Sequence, residues 1–81
     1  MKNNLDKDFE VLTREDFLKD IVNQLKLRRI ALNLTQADVD NSMGNADRLV
    51  SKWECGDRTP TAFNLYCWTL ALKTKMIIQP I

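Results

Sequence analysis

Thr35-Gln36-Ala37-Asp38-Val39-Asp40-Asn41-Ser42-Met43-Gly44-Asn45-Ala46-Asp47-Arg48-Leu49-Val50-Ser51-Lys52-Trp53-Glu54-Cys55-Gly56 is the stretch whose reading decides the fold. Thr35 is a good helix N-cap, and Asp38 sits at the third helical position, where a carboxylate can answer the cap. Val39 and Met43 give this short helix its apolar face, and Gly44 ends it, because glycine takes the left-handed conformation at low cost. A second helix is expected from Asn45 or Ala46 to about Cys55. At 100° per residue it divides into two sides: Ala46, Leu49, Val50 and Trp53 on one, Asp47, Arg48, Ser51 and Lys52 on the other. Two short helices with about three residues between them must cross steeply, which is the helix-turn-helix arrangement. Its consequence is to push the later helix outward.

Upstream, Thr13 is expected to cap a helix from about Arg14 to Leu32. Phe17, Leu18, Ile21, Val22, Leu25, Arg29 and Leu32 recur there at helical spacing, and Asn33 suits a left-handed stop. Downstream, Gly56 to Pro60 reads as a turn. A further helix then starts at Pro60 or Thr61 and runs through Leu65, Trp68, Thr69 and Leu72. Lys75 to Ile81 is apolar and β-branched, and suits a short strand. Residues 1–12 read as a flexible polar arm, 13–74 as the helical domain, and 75–81 as a tail suited to dimerisation. The expected fold class is all-α: a compact domain of four or five short helices. Its expected core is Leu25, Leu32, Leu34, Val39, Met43, Val50, Trp53, Leu65 and Leu72. Tyr66 and Trp68 suit either core or a dimer surface.

The chain has 81 residues, and 12 basic against 11 acidic side chains leave a net charge of +1. One modest core must therefore hold one domain. Near-neutral charge confines any affinity for nucleic acid to a local basic patch. There is no histidine, and the two cysteines, Cys55 and Cys67, fit no zinc spacing. No metal and no cofactor are expected, and the cysteines read as reduced intracellular thiols used as small apolar side chains. Ser51 has no histidine base, and no lysine is placed to activate it, so an enzyme is not expected. Met1 to Asp8 is polar and charged, unlike a signal peptide, and no apolar run approaches the ~20 residues that span a membrane. A soluble, cytoplasmic protein with no membrane partner is the expectation.

Thr35-Gln36, Val39, Met43-Gly44, Val50-Ser51-Lys52-Trp53-Glu54, Gly56, Arg58 and Pro60, taken in register, resemble the motif of the Xre/Cro helix-turn-helix family, the lambda-repressor-like DNA-binding domains. The resemblance spans about residues 20–73. It implies sequence-specific binding of double-stranded DNA by a transcriptional regulator, a repressor by preference, with residues 46–55 in the major groove. It places Gln36 against a phosphate at a helix start, where free N–H groups and the helix dipole favour an anion. Thr35 would donate to the same phosphate. Arg48, Ser51 and Lys52 match positions facing base edges or flanking phosphates, Asp47 a base-facing position, and Arg58 a loop residue on the DNA backbone. Arg29 and Glu54 match a partly buried ion pair, so a structural role is the stronger reading for both.

For an isolated amphipathic helix, Arg48 and Lys52 would read as a solvated face. Within this motif the exposed helix is specified, and DNA contact becomes the better reading. Asp47 can instead cap its helix or pair with Arg48, and Trp53 reads as core. Three residues depart from the family pattern. Asp40 stands where alanine is usual, and a buried carboxylate there must reach solvent or a partner. Ala46 replaces a capping Ser or Thr, with Asn45 as the substitute cap. Lys73 replaces the glycine that usually closes the fourth helix.

A homodimer on a near-palindrome, with half-sites about 34 Å apart, follows from how few base pairs one such domain reads. The apolar tail, Leu49 and Phe17 are the candidate dimer surfaces. The alternative is a helix-turn-helix module that docks a protein partner, as an antitoxin or a phage accessory protein would. Near-neutral charge and the acids Asp38, Asp40 and Asp47 favour it.

Overall fold

The computed structural model describes residues 11–80 and contains four helices among them: α1 (Arg14–Ala31), α2 (Gln36–Met43), α3 (Leu49–Glu54) and α4 (Ala62–Ala71). The expected arm falls mostly on residues 1–10, outside the described residues. Val11 and Leu12, before α1, are exposed.

Three of the four helices begin on a threonine. Thr13 accepts from the Asp16 amide at 3.1 Å, Thr35 from Asp38 at 3.0 Å and Thr61 from Asn64 at 3.1 Å. Each hydroxyl satisfies one of the orphan N–H groups of a first turn. At Thr35 the box is closed, since its own N–H donates to Asp38 Oδ2 at 2.8 Å. This short range also holds the Asp38 carboxyl below its ordinary pKa, chiefly through the Thr35 N–H and then through the Thr35 hydroxyl. The stops are left-handed residues: Asn33 (φ 58°) after α1, Gly44 (φ 71°) after α2 and Lys73 (φ 58°) after α4. Lys73 takes the conformation for which glycine is the usual residue, at a steric cost of roughly 1–2 kcal/mol.

The core is Leu25, Val39, Val50, Trp53, Leu65, Trp68 and Leu72, with Ile21, Val22, Leu32, Leu34, Met43, Leu49 and Ala71 packed on it. Every residue of the expected core is present. Trp68 joins it, fully buried, with its ring centroid 5.0 Å from that of Trp53. Tyr66, two residues earlier on α4, is exposed. α2 packs on α3 and on α4, and α1 packs on α3.

Two expectations need correction. The helix expected from Asn45 or Ala46 to about Cys55 spans only Leu49–Glu54, because Asp47 (φ 60°) and Arg48 (φ 54°) take left-handed conformations that no right-handed helix contains. The tail forms no strand over 75–80, the described part of it. An extended segment needs a neighbouring edge for its N–H and C=O groups, and none of the described helices offers one. Met76, Ile77 and Ile78 are exposed.

Candidate nucleic-acid interface

The surface is built on one ion pair. Arg29, in the last turn of α1, meets Glu54, the last residue of α3, in a two-pronged contact: Nε to Oε2 at 2.7 Å and Nη2 to Oε1 at 3.0 Å. The remaining prong, Nη1, donates to the Leu34 carbonyl at 2.8 Å. The side chains are 12% and 3% exposed, so the pair sits in a low-dielectric setting where fork geometry counts. The hydrogen bond to Glu54 raises the Arg29 pKa, against the opposing effect of burial. The pair ties the end of α1, the turn into α2 and the end of α3 into one unit.

Gln36, the first residue of α2, joins that unit: Nε2 donates to Glu54 Oε1 at 3.0 Å. Sequence reasoning assigned this side chain to a phosphate. Here one amide N–H is committed to the ion pair, which fixes the side chain across the start of α2. Thr35, beside it, is exposed at the helix start.

The α2–α3 turn is held by Asp40. Its carboxylate is almost buried, at 8% exposure, and Oδ1 accepts from the backbone N–H of Val50 and from Asn45 Nδ2, both at 3.0 Å. The Asp40 carbonyl accepts the Asn45 N–H at 2.9 Å. Thus the buried carboxylate finds the partner that its position demanded. It also caps α3 from the neighbouring helix, a role that no local capping pattern signals. Asn45 was expected to cap α3 itself; its side chain instead donates to Asp40 and lies 3.6 Å from Met43 Sδ. The α3 N-cap position is Arg48, with no side-chain cap of its own.

Around this scaffold the expected contact residues divide into groups. Asp47, Arg48 and Lys52 line one shallow depression at the start of α3. Asp47 and Arg48 are exposed, whereas Ser51 and Lys52 on α3 are half-buried. Arg58 lies elsewhere, in a groove between α1 and the turn after α3. That groove also carries Arg14, Lys19 and Lys26, which the sequence pattern did not single out as neighbours of Arg58, together with the acids Glu15, Asp20 and Glu54. Arginine at such a position can read guanine through two parallel hydrogen bonds, and lysine can neutralise phosphate. Asp47 tempers the field beside Arg48.

Among the described residues no group of three or more His, Cys, Asp or Glu side chains is placed to hold a metal ion, and no helix is long and apolar enough to cross a membrane. Cys55 is exposed and Cys67 half-buried, and neither is in a disulfide. Comparison of the chain with protein-family models, with curated proteins and with solved structures gave no match, so the reading of this surface rests on its own residues and geometry.

Proposed function

We propose that this chain binds double-stranded DNA in a sequence-specific way, as a transcriptional regulator, with the α2–α3 unit as the reading head and a second copy completing the site. The observation that carries this reading is the Arg29–Glu54–Gln36 network. It fixes two short helices joined by a turn that begins at Gly44, and it leaves Arg48 and Lys52 together at the outer end of α3. Thr35 and Gln36 stand at the start of α2, whose free N–H groups suit a phosphate. Arg58 supplies a flanking positive charge, in a groove where Arg14, Lys19 and Lys26 are interspersed with Glu15 and Asp20. The exposed Met76, Ile77 and Ile78 support self-association, as does Phe17. Leu49 is already engaged against the core.

Selection of duplexes from a random pool tests the reading. The expected result is an enriched near-palindrome with half-sites about one helical turn apart. A second reading, docking of a protein partner, is favoured by the net charge of +1 and by the exposed Phe63, Tyr66 and Leu70 on α4. It gains ground if no duplex is enriched and Arg48→Ala or Lys52→Ala abolishes binding of a protein.

A further inference from the structure

We propose that residues 46–48 form a two-state segment, so that α3 exists in a short form, locked by Asp40, and a long form that begins near Ala46. The structure holds the short form. Its mark is a pair of consecutive non-glycine residues, Asp47 and Arg48, at φ 60° and 54°. Two such residues in succession persist only where surrounding contacts over-determine them. Those contacts come from Asp40. Its carboxylate takes the Val50 N–H and the Asn45 side chain, and its carbonyl takes the Asn45 N–H, so both ends of the segment are pinned to α2.

The local sequence encodes the other state. Ala46 continues the apolar stripe of Leu49, Val50 and Trp53 at helical spacing, and Asn45 is a good N-cap. In the long form the Val50 N–H exchanges Asp40 Oδ1 for the Ala46 carbonyl, the ordinary acceptor four residues back. The Ser51 N–H gains the Asp47 carbonyl in the same way. No donor is orphaned by the exchange and both left-handed residues are released, while the Asp40 carboxylate gives up the Val50 N–H and has the Asn45 amide as its remaining partner.

The consequence rests on the DNA-binding reading. In the long form Asp47 and Arg48 stand one helical turn above Ser51 and Lys52, giving a continuous four-residue polar face. In the short form Asp47 and Arg48 still border Lys52 in one depression, but from a left-handed turn and not from a helical face. A duplex that needs all four selects the long form, and its apparent affinity is lowered by the fraction of molecules in the short form. Asp40 thereby sets how readily the head engages its site.

The experiment is solution NMR on the full chain, with opposed substitutions at one position. Positive φ gives a strong intraresidue contact between the amide proton and Hα, and a right-handed helix does not. Asp47→Gly favours the short form and should keep the backbone at residue 47 left-handed, with the strong contact at Arg48 unchanged. Asp47→Ala favours the long form and should lose that contact at residues 47 and 48 while gaining helical contacts from residue 46 to 49. Asp40→Ala should do the same. Should that variant not fold, Asp47→Ala alone decides the point. On a selected duplex, Asp47→Ala should bind roughly tenfold more tightly than Asp47→Gly. Persistence of the strong contact at both residues in Asp47→Ala would overturn the proposal, as would equal duplex affinities for the two Asp47 variants. Conversion in Asp47→Ala with no duplex bound by any form would leave the two states standing and remove the DNA reading instead.

Discussion

Asp40 Oδ1 lies 3.0 Å from the backbone nitrogen of Val50, so the N-terminus of α3 is capped by a side chain from α2 and not by a residue of its own turn. This contact converts what looks like a misplaced buried acid into the clasp between α2 and α3. Asp40→Asn retains an acceptor oxygen and should change stability by less than about 1 kcal/mol. Asp40→Ala should cost about 1 kcal/mol, the low end of the penalty for orphaning a buried donor, because α3 can lengthen to satisfy Val50. Urea unfolding midpoints compare the two. A loss above roughly 3 kcal/mol for Asp40→Ala would show that Val50 finds no second acceptor.

Glu54 supports three donors: two from Arg29 and one from Gln36. Glu54→Ala leaves the Arg29 guanidinium buried without its counter-charge and should cost roughly 3–5 kcal/mol. Arg29→Lys should also be strongly destabilising, because an ammonium cannot span both Glu54 oxygens and the Leu34 carbonyl in the same fork. Gln36→Ala should cost less, about 1.5 kcal/mol, the low end for a hydrogen bond to a charged group, because it lies at the edge of the network. Thermal and urea unfolding of the three variants gives the ranking. Equal effects of Gln36→Ala and Glu54→Ala would contradict the network as described.

The capping box at α2 makes stability depend on pH. The Thr35 N–H and hydroxyl hold the Asp38 carboxyl below its ordinary value of 3.8. A depressed carboxylate contributes fully above its unfolded pKa, and its contribution is lost as pH falls through the folded one. The expected outcome is an acid limb in the stability profile below about pH 4 that flattens in Asp38→Asn. Denaturant midpoints at a series of pH values read this directly. An unchanged limb in the variant would assign the acid sensitivity to another group.

Lys73 occupies φ 58° where α4 stops, its N–H bonded to the Leu70 carbonyl at 3.0 Å. Lys73→Gly removes the Cβ clash and should stabilise the fold by roughly 0.5–1 kcal/mol, after the entropy that glycine adds to the unfolded chain. A melting temperature that falls in this variant would contradict the left-handed stop.

Much of this architecture is legible in the residues themselves. Thr13 and Thr35 mark two helix starts because their chemistry is local, acting within three residues of the chain, whereas the start of α4 is legible only as Pro60 or Thr61. The core residues from Leu25 to Leu72 follow from helical spacing for the same reason. The Arg29–Glu54 pair is separated by 25 positions and came through resemblance to a family motif, not from spacing. What escapes sequence reading is what local patterns cannot carry. Asp40 acts ten residues away on a backbone amide, and this contact decides where α3 begins. Gln36 is drawn to Glu54 by a side-chain acceptor eighteen positions away. The full burial of Trp68 depends on where α4 meets Trp53, which no helical wheel of α4 alone reveals. The tail's apolar composition suits a strand, yet a strand needs an edge that this chain does not provide in the described residues.

Duplex binding by the α2–α3 head is the central claim. The direct measurement is a fluorescence anisotropy titration of a selected duplex from about 50 to 200 mM salt, the range in which phosphate contacts declare themselves. The expected result is a steep linear fall of log affinity with log salt, with a slope reduced by about one in Lys52→Ala and with selectivity lost in Arg48→Ala. Affinity that is indifferent to salt, or unchanged in both variants, would contradict it.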